Sequence, residues 1–161
     1  MKKPDFLSNL KKKEKLKLVE PSEEIKSSYL RKAEDCLKSA KILLNNGLYE
    51  NSTSEAYYGM YNSLLALLFK SGIKSENHSA SIILLGKLFN PDLAKTISAA
   101  KTERIDKQYY VDSQQTVKVS EESCKAMISN AEDFLVKMKL LASSLNNEGI
   151  IKARKAFENL S

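Results

Sequence analysis

Histidine, cysteine and tryptophan are scarce in this chain of 161 residues, which has one histidine, two cysteines and no tryptophan. The cysteines, Cys36 and Cys124, each stand alone, without a CxxC pair or a nearby histidine. A zinc site of the cysteine and histidine type is therefore close to excluded, and no metal site is predicted. We expect both cysteines to be small core or boundary residues.

Residues that break helices are also few, since the chain contains 5 glycines and 3 prolines. This composition favours long helices over many short strands. No apolar run approaches the roughly 18 to 20 residues that span a bilayer, and the basic N-terminus lacks the apolar stretch of a signal peptide. We therefore expect a cytoplasmic protein without a membrane span. Because the chain also lacks a Gly-rich phosphate loop, HExxH and GxSxG, no cofactor is predicted.

The net charge of +6 is distributed unevenly along the chain. Residues 2–17 contain seven lysines and two acidic residues, so this segment alone carries +5. We interpret residues 1–20 as a basic N-terminal arm or short helix. Such a segment can add salt-sensitive affinity for nucleic-acid phosphates, or it can be a solvated turn, and the sequence leaves both open.

Apolar residues recur at steps of three and four along the rest of the chain, which predicts an all-α fold. We expect an up-and-down bundle of four long helices with short additional helices over residues 21–145, followed by an amphipathic tail helix in residues 146–161. No strand is predicted, and a polar loop is predicted over residues 108–116. The predicted helices begin at the cap Ser22 and cover residues 22–46, 51–71, 77–89, 93–106 and 117–145.

The second predicted helix, NSTSEAYYGMYNSLLALLFKSG, is apolar nearly all round in its second half. A helix of this kind is either central, or covered by the domain on one side and by a partner on another. Small residues at positions 59, 63 and 66 form a line along which another helix could come close. The flanking tyrosines either pack in the core or stack on a ligand, and they are Tyr57, Tyr58 and Tyr61.

The segment KTERIDKQYYVD, residues 101–112, is the candidate site. Its structural interpretation is a surface ion pair between Glu103 and Lys107, four residues apart on a helix. Its functional interpretation combines Arg104 with Tyr109 or Tyr110, because arginine suits phosphate and tyrosine can stack or donate a hydrogen bond. Arg104 and Tyr109 can converge on one ligand only if the helix ends near residue 108, because residues five apart on an unbroken helix diverge by about 140°.

The order of motifs resembles that of the HEPN family, and the similarity runs from about residue 25 to 142. It begins with LRKAEDCLKSAKILLNNGLYENSTSEAYYGMYNSLLALLFKSGIKSENHSASIILLGKLF. KTERIDKQYY and a closing helix with AEDFL follow. The ordered set, rather than any single piece, carries the resemblance.

The resemblance implies a homodimer with a cleft between two chains, and a partner that is a minimal nucleotidyltransferase (MNT) acting as antitoxin. It also implies a metal-independent ribonuclease whose arginine is followed four to six residues later by a histidine. Arg104 matches the arginine, but Tyr109 stands in the histidine position. The implied catalytic residues are therefore Arg104 and Tyr109. RNA or nucleotide would be held by Arg104, Lys107, Tyr109, Tyr110 and His78.

Two interpretations of function follow from this departure. In the first, the protein is a toxin of a HEPN/MNT module that binds RNA and cleaves it, with Arg104 on phosphate and His78 supplying the imidazole if it folds close by. In the second, the protein is a non-catalytic subunit that binds nucleotide or regulates the partner nucleotidyltransferase. In either case Tyr109 or Tyr110 could be the hydroxyl that such a partner adenylylates. An ordinary tyrosine has a pKa near 10, so its hydroxyl is protonated at neutral pH and is not an efficient base in place of histidine.

Overall fold

Seven α-helices make up most of the described chain in this computed structural model, which covers residues 5–109, 111–112, 115–116 and 119–161, with side chains outside 106–118. The all-α prediction is confirmed. The helices are α1 (Phe6–Lys12), α2 (Glu23–Asn45), α3 (Tyr49–Lys70), α4 (His78–Leu88), α5 (Pro91–Tyr109), α6 (Glu121–Ser144) and α7 (Asn147–Glu158).

Helix α3 is the central element, because it packs against α2, α5 and α6. Met60, Leu64 and Leu67 on this helix have no exposed surface. The apolar second half of α3 is thus buried within one chain. Of the two interpretations of this helix, the central position is therefore the correct one, and no partner is needed to cover it. Gly59 lies where α2 comes closest, since a β-carbon there would stand 3.0 Å from Leu37 Cδ2. This contact confirms the predicted close helix approach at Gly59, one of the three small residues.

A small antiparallel sheet corrects the prediction that the chain has no strand. Strand β1 (Leu16–Leu18) pairs with β2 (Ile73–Ser75), with Leu16 opposite Ser75 and Leu18 opposite Ile73. Each strand has only three residues, too few for an alternating pattern to stand out, and the pairing joins segments far apart in the sequence. The sheet fixes the lysine-rich N-terminal segment to the bundle, and Leu7, Leu10 and Leu16 from that segment are buried.

The C-terminal helix α7 docks against the same region. Its Arg154 Nη1 donates to the carbonyl oxygens of Val19, at 2.7 Å, and Gly72, at 2.8 Å. From the other side, Lys11 Nζ donates to the carbonyl oxygen of Phe157 at 2.8 Å, near the C-terminal end of α7 where cations are favoured. Arg154 therefore connects α7 to the N-terminal segment and to the start of β2, and Lys11 connects α1 to α7.

The predicted loop over residues 108–116 is wrong in part. Helix α5 continues through Tyr109, and β3 (Val111–Asp112) pairs with β4 (Gln115–Thr116) as two very short strands. Helix α6 starts at Glu121, four residues later than predicted, because Ser120 accepts a hydrogen bond from the Ser123 amide and caps it. Polar residues without strong turn signals left these boundaries undetermined in the sequence.

Candidate functional site

Arg104 lies on α5 and faces the tyrosines of α3. Its Nη2 donates to the Tyr58 hydroxyl at 3.0 Å, and its guanidinium carbon is 4.9 Å from the Tyr58 ring centroid and 5.4 Å from that of Tyr57. The Arg104 Nε is buried without a hydrogen-bond partner. A guanidinium held over aromatic faces in this way is oriented in advance for a planar, anionic ligand.

His78 is the first residue of α4, directly after Asn77, whose side chain caps the helix by accepting from the Ala80 amide. Its imidazole stacks on the Tyr61 ring, with centroids 3.7 Å apart. Its Nδ1 is 2.9 Å from the Tyr57 hydroxyl oxygen. His78 is therefore a half-buried member of an aromatic cluster and is not the cap of α4.

The three tyrosines of α3 connect Arg104 to His78. The Tyr57 and Tyr61 rings stack at 6.3 Å between centroids, and the Tyr57 and Tyr58 rings meet at 5.7 Å. On the opposite side, the Tyr61 hydroxyl lies 3.2 Å from Ser81 Oγ. Ser81 Oγ in turn donates a hydrogen bond to Ser75 Oγ at 2.8 Å. These contacts fix the ring orientations, so the cluster is preorganised for binding.

Burial lowers the pKa of the His78 imidazole below its usual value, and repulsion by Lys101 and then Arg104 lowers it further. Lys101 Nζ is held near the imidazole by a hydrogen bond of 2.6 Å to Ser79 Oγ. Burial also raises the pKa of the Tyr57 and Tyr61 hydroxyls. At neutral pH the site therefore combines a neutral imidazole and neutral phenols with the fixed positive charge of Arg104.

This electrostatic arrangement leads to a prediction that the single histidine makes easy to test. The His78 ring resonances in an NMR titration should move at a pH below the usual midpoint of about 6.5. Replacing Lys101 with glutamine should shift that midpoint upward, because one repelling charge is removed. Lys95→Gln, an exposed lysine on the same helix, serves as the control and should leave it unchanged. A wild-type midpoint at or above 6.5 would contradict the proposed environment.

The structure brings together two of the residues that the sequence singled out, Arg104 and His78. Tyr109 is the last residue of α5, but its side chain and that of Lys107 lie outside the described residues, as does Tyr110 altogether. Whether Tyr109 faces Arg104 thus stays a prediction. Sequence reasoning did not include Ser79, Ser81 and Lys101. Only Lys101 gave a signal, since its spacing of three from Arg104 puts both on one face of a helix.

No helix in the described part of the chain has the length and apolar character needed to cross a membrane. Within the same residues, no group of three or more histidine, cysteine or acidic side chains is arranged to hold a metal ion. The groups that the described residues bring to this site include an imidazole, a guanidinium and phenols. Such groups can bind a phosphate, stack on a base and move a proton.

The fold places this chain in the class of small all-α helical-bundle proteins, and its site joins an arginine and a histidine through stacked tyrosines. The comparison with family models agrees with this class: the model described as HEPN domain matches residues 27–141, well over half of the chain. The protein belongs to the HEPN domain family.

The matches with individual relatives cover most of the length of each relative. A protein from Methanocaldococcus jannaschii that carries the name "Putative toxin" is 29% identical over 113 residues, covering 66% of this chain and 81% of its own. A UPF0332 protein from Thermotoga maritima is 28% identical over 129 residues, covering 76% and 95%. A UPF0332 protein from Archaeoglobus fulgidus is 31% identical over 116 residues, covering 68% and 89%. The chain is thus similar, over most of the length of each, to one protein that carries a toxin name and to two UPF0332 proteins.

Proposed function

We propose that this protein is the toxin-like component of a toxin–antitoxin module that binds RNA and cleaves it without a metal ion. The observation that carries the proposal is that the His78 imidazole and the Arg104 guanidinium both contact Tyr57. His78 Nδ1 lies 2.9 Å from the Tyr57 hydroxyl, while the Arg104 guanidinium carbon lies 5.4 Å from the centre of the Tyr57 ring. The imidazole that the HEPN motif requires after the arginine thus comes from another helix, and Tyr109 need not replace it.

The proposed reaction uses the 2′-hydroxyl of the RNA as nucleophile. In the tautomer that this requires, His78 Nδ1–H donates to the Tyr57 oxygen and Nε2 is unprotonated. Nε2 removes the 2′-hydroxyl proton, and the 2′-oxygen bonds to phosphorus. The bond from phosphorus to the 5′-oxygen breaks as that oxygen takes a proton from water, and the hydroxide left behind takes the proton back from Nε2. Arg104 stabilises the charge on the phosphate oxygens. The products are a 2′,3′-cyclic phosphate end and a 5′-hydroxyl end.

The test is incubation of the purified protein with RNA in EDTA, beside a His78→Gln variant whose fold is checked by circular dichroism. We expect cleavage by the wild type and a rate lower by about a hundredfold or more in the variant, which lacks the base. End-group analysis should detect the cyclic phosphate. Equal degradation by both proteins would indicate a contaminating nuclease, and no degradation by either would remove the nuclease proposal.

A second candidate function is a non-catalytic subunit that binds RNA or nucleotide and regulates its partner. The observation that favours it is the packing of His78, since one face of its imidazole is stacked on Tyr61 at 3.7 Å between centroids. An imidazole held in this way is also suited to act as a stacking platform. RNA binding that is lost in His78→Gln, without cleavage by either protein, would favour this candidate.

We further propose that two copies of the protein form a homodimer, and that its antitoxin partner is a minimal nucleotidyltransferase. This partner would adenylylate Tyr109 or Tyr110. Family membership supports the two associations, and the name of the M. jannaschii relative is compatible with a toxin. On the surface of α6, Val136 and Leu140 are 57% and 66% exposed, and their spacing of four residues puts them on one face that a second chain could cover. Light scattering and co-purification with the nucleotidyltransferase test these two associations.

A further inference from the structure

A pocket of about 490 Å³ opens beside the Arg104 and His78 site, between α2 and α3. This volume is within the range of about 300–1,000 Å³ that is usual for small-molecule sites. Tyr58, Tyr61 and His78 form part of its lining, so the pocket and the proposed catalytic site share three side chains. Whatever enters the pocket therefore lies next to the group that binds phosphate.

The aromatic part of this pocket is suited to a flat ring. Tyr61 and His78 are stacked with an angle of 13° between their planes, and Tyr58 stands nearly perpendicular to His78, at 82°. The lining thus offers an outer face of a stacked pair of rings, with the Tyr58 ring at its side. A base from single-stranded RNA stacks readily on such a surface, whatever its sequence.

The polar groups of the pocket provide the means to select one base. Glu55 and Asn62 from α3 lie there beside Cys36 from α2, and the Asn62 amide nitrogen is 3.5 Å from the Cys36 sulfur. Burial raises the pKa of the Cys36 thiol to about 11, with a further contribution from the Glu55 carboxylate. The thiol therefore stays neutral, and Glu55 is the acidic side chain of the pocket lining, with Lys32 as the basic one.

We propose that this pocket binds guanine, and that Glu55 is the residue that determines the specificity. A carboxylate accepts two parallel hydrogen bonds, and guanine is the RNA base whose pairing edge carries two adjacent donors, N1–H and N2–H. Adenine, cytosine and uracil each offer a single donor position there. The Arg104 contact to the Tyr58 hydroxyl, at 3.0 Å, connects the base pocket to the phosphate site. The inference rests on the proposed function, because it names the base next to the cleaved phosphate.

The experiment measures binding of GMP, IMP, AMP, CMP, UMP and inorganic phosphate to the full chain by isothermal titration calorimetry. We expect GMP to bind at least tenfold more tightly than AMP, CMP and UMP, and phosphate to bind most weakly. IMP should bind less tightly than GMP, because it lacks the N2 amino group that the second carboxylate oxygen accepts from. This comparison uses the wild-type protein and therefore does not depend on the folding of any variant.

The matched variants are Glu55→Gln and, as control, Glu122→Gln, which neutralises an exposed glutamate on α6. The first should remove most of the preference for GMP, and the second should leave it intact. Similar affinities for all nucleotides, or a GMP preference that survives Glu55→Gln in a folded protein, would overturn the inference. A guanine preference without RNA cleavage would support the pocket and count against the nuclease, whereas cleavage without any guanine preference would do the reverse.

Discussion

Replacement of Arg104 with alanine is expected to lower the rate of RNA cleavage by about a hundredfold to a thousandfold, the usual effect of removing one group that stabilises transition-state charge. The guanidinium is the positive charge stacked on the tyrosine cluster, and it carries the planar fork that matches a phosphate. Removal of this side chain leaves the His78 imidazole without a bound phosphate beside it. Binding of RNA should weaken as well, and the loss should be smaller at high salt.

Two further variants separate the geometry of Arg104 from its charge. Arg104→Lys keeps the charge but loses the fork and most of the stacking on Tyr57 and Tyr58, so we expect it to restore only a small part of the activity. Arg31→Ala removes an equal charge from an exposed position on α2 and should retain full activity. Single-turnover rates on one RNA substrate in EDTA provide the comparison. Full activity in folded Arg104→Ala, or equal losses in Arg104→Ala and Arg31→Ala, would exclude a specific role for Arg104.

Local signals in the sequence were enough to predict most of the helices, although not the end of α5 or the start of α6. Ser22, the predicted cap of α2, accepts a hydrogen bond from the amide of Ile25, and Asn77, at the predicted start of the third helix, accepts one from the amide of Ala80. Gly47, with φ at 73°, directly follows the predicted helix over residues 22–46 and adopts the left-handed conformation typical of a helix end. These features depend on residues within one turn of each other. They are therefore visible without knowledge of the tertiary structure.

The composition of the site depends instead on contacts between distant segments. Tyr57 and His78 are 21 residues apart, and Arg104 and Tyr58 are 46 apart. No periodicity within one helix encodes the angle at which α3, α4 and α5 meet. The spacing of the tyrosines also left two interpretations open, packing in the core and lining a site. Residues of either kind recur at the same helical spacing. Only the packed bundle distinguishes them.

The prediction with the largest effect on stability concerns Gly72, between α3 and β2. Its φ is 70°, in the left-handed region that costs an L-residue about 1–2 kcal/mol. A β-carbon there would lie 2.0 Å from Arg154 Nη1 and 2.5 Å from the carbonyl oxygen of Val19. Gly72→Ala must therefore displace both the Arg154 side chain and the backbone of the N-terminal segment, at a further cost of about 1–3 kcal/mol. We expect the free energy of unfolding to fall by about 3 kcal/mol in urea titrations.

Gly47→Ala is the control that isolates the steric part of this effect. Gly47 has almost the same φ, 73°, but a β-carbon there would meet no atom within 4 Å. Its substitution should therefore cost only the conformational penalty, and the difference between the two variants should measure the displacement of Arg154 and Val19. If the two substitutions cost the same, the contacts between α7, Gly72 and the N-terminal segment contribute little to stability.

An Arg154→Ala variant completes this comparison. Alone, it removes the hydrogen bonds to Val19 and Gly72 and should destabilise the protein by about 1–3 kcal/mol. Combined with Gly72→Ala, it removes one of the two atoms that the new β-carbon strikes. The double variant should then lose less stability than the two single variants together. Strict additivity would mean that Gly72 and Arg154 do not interact, and that the collision is borne by the Val19 backbone alone.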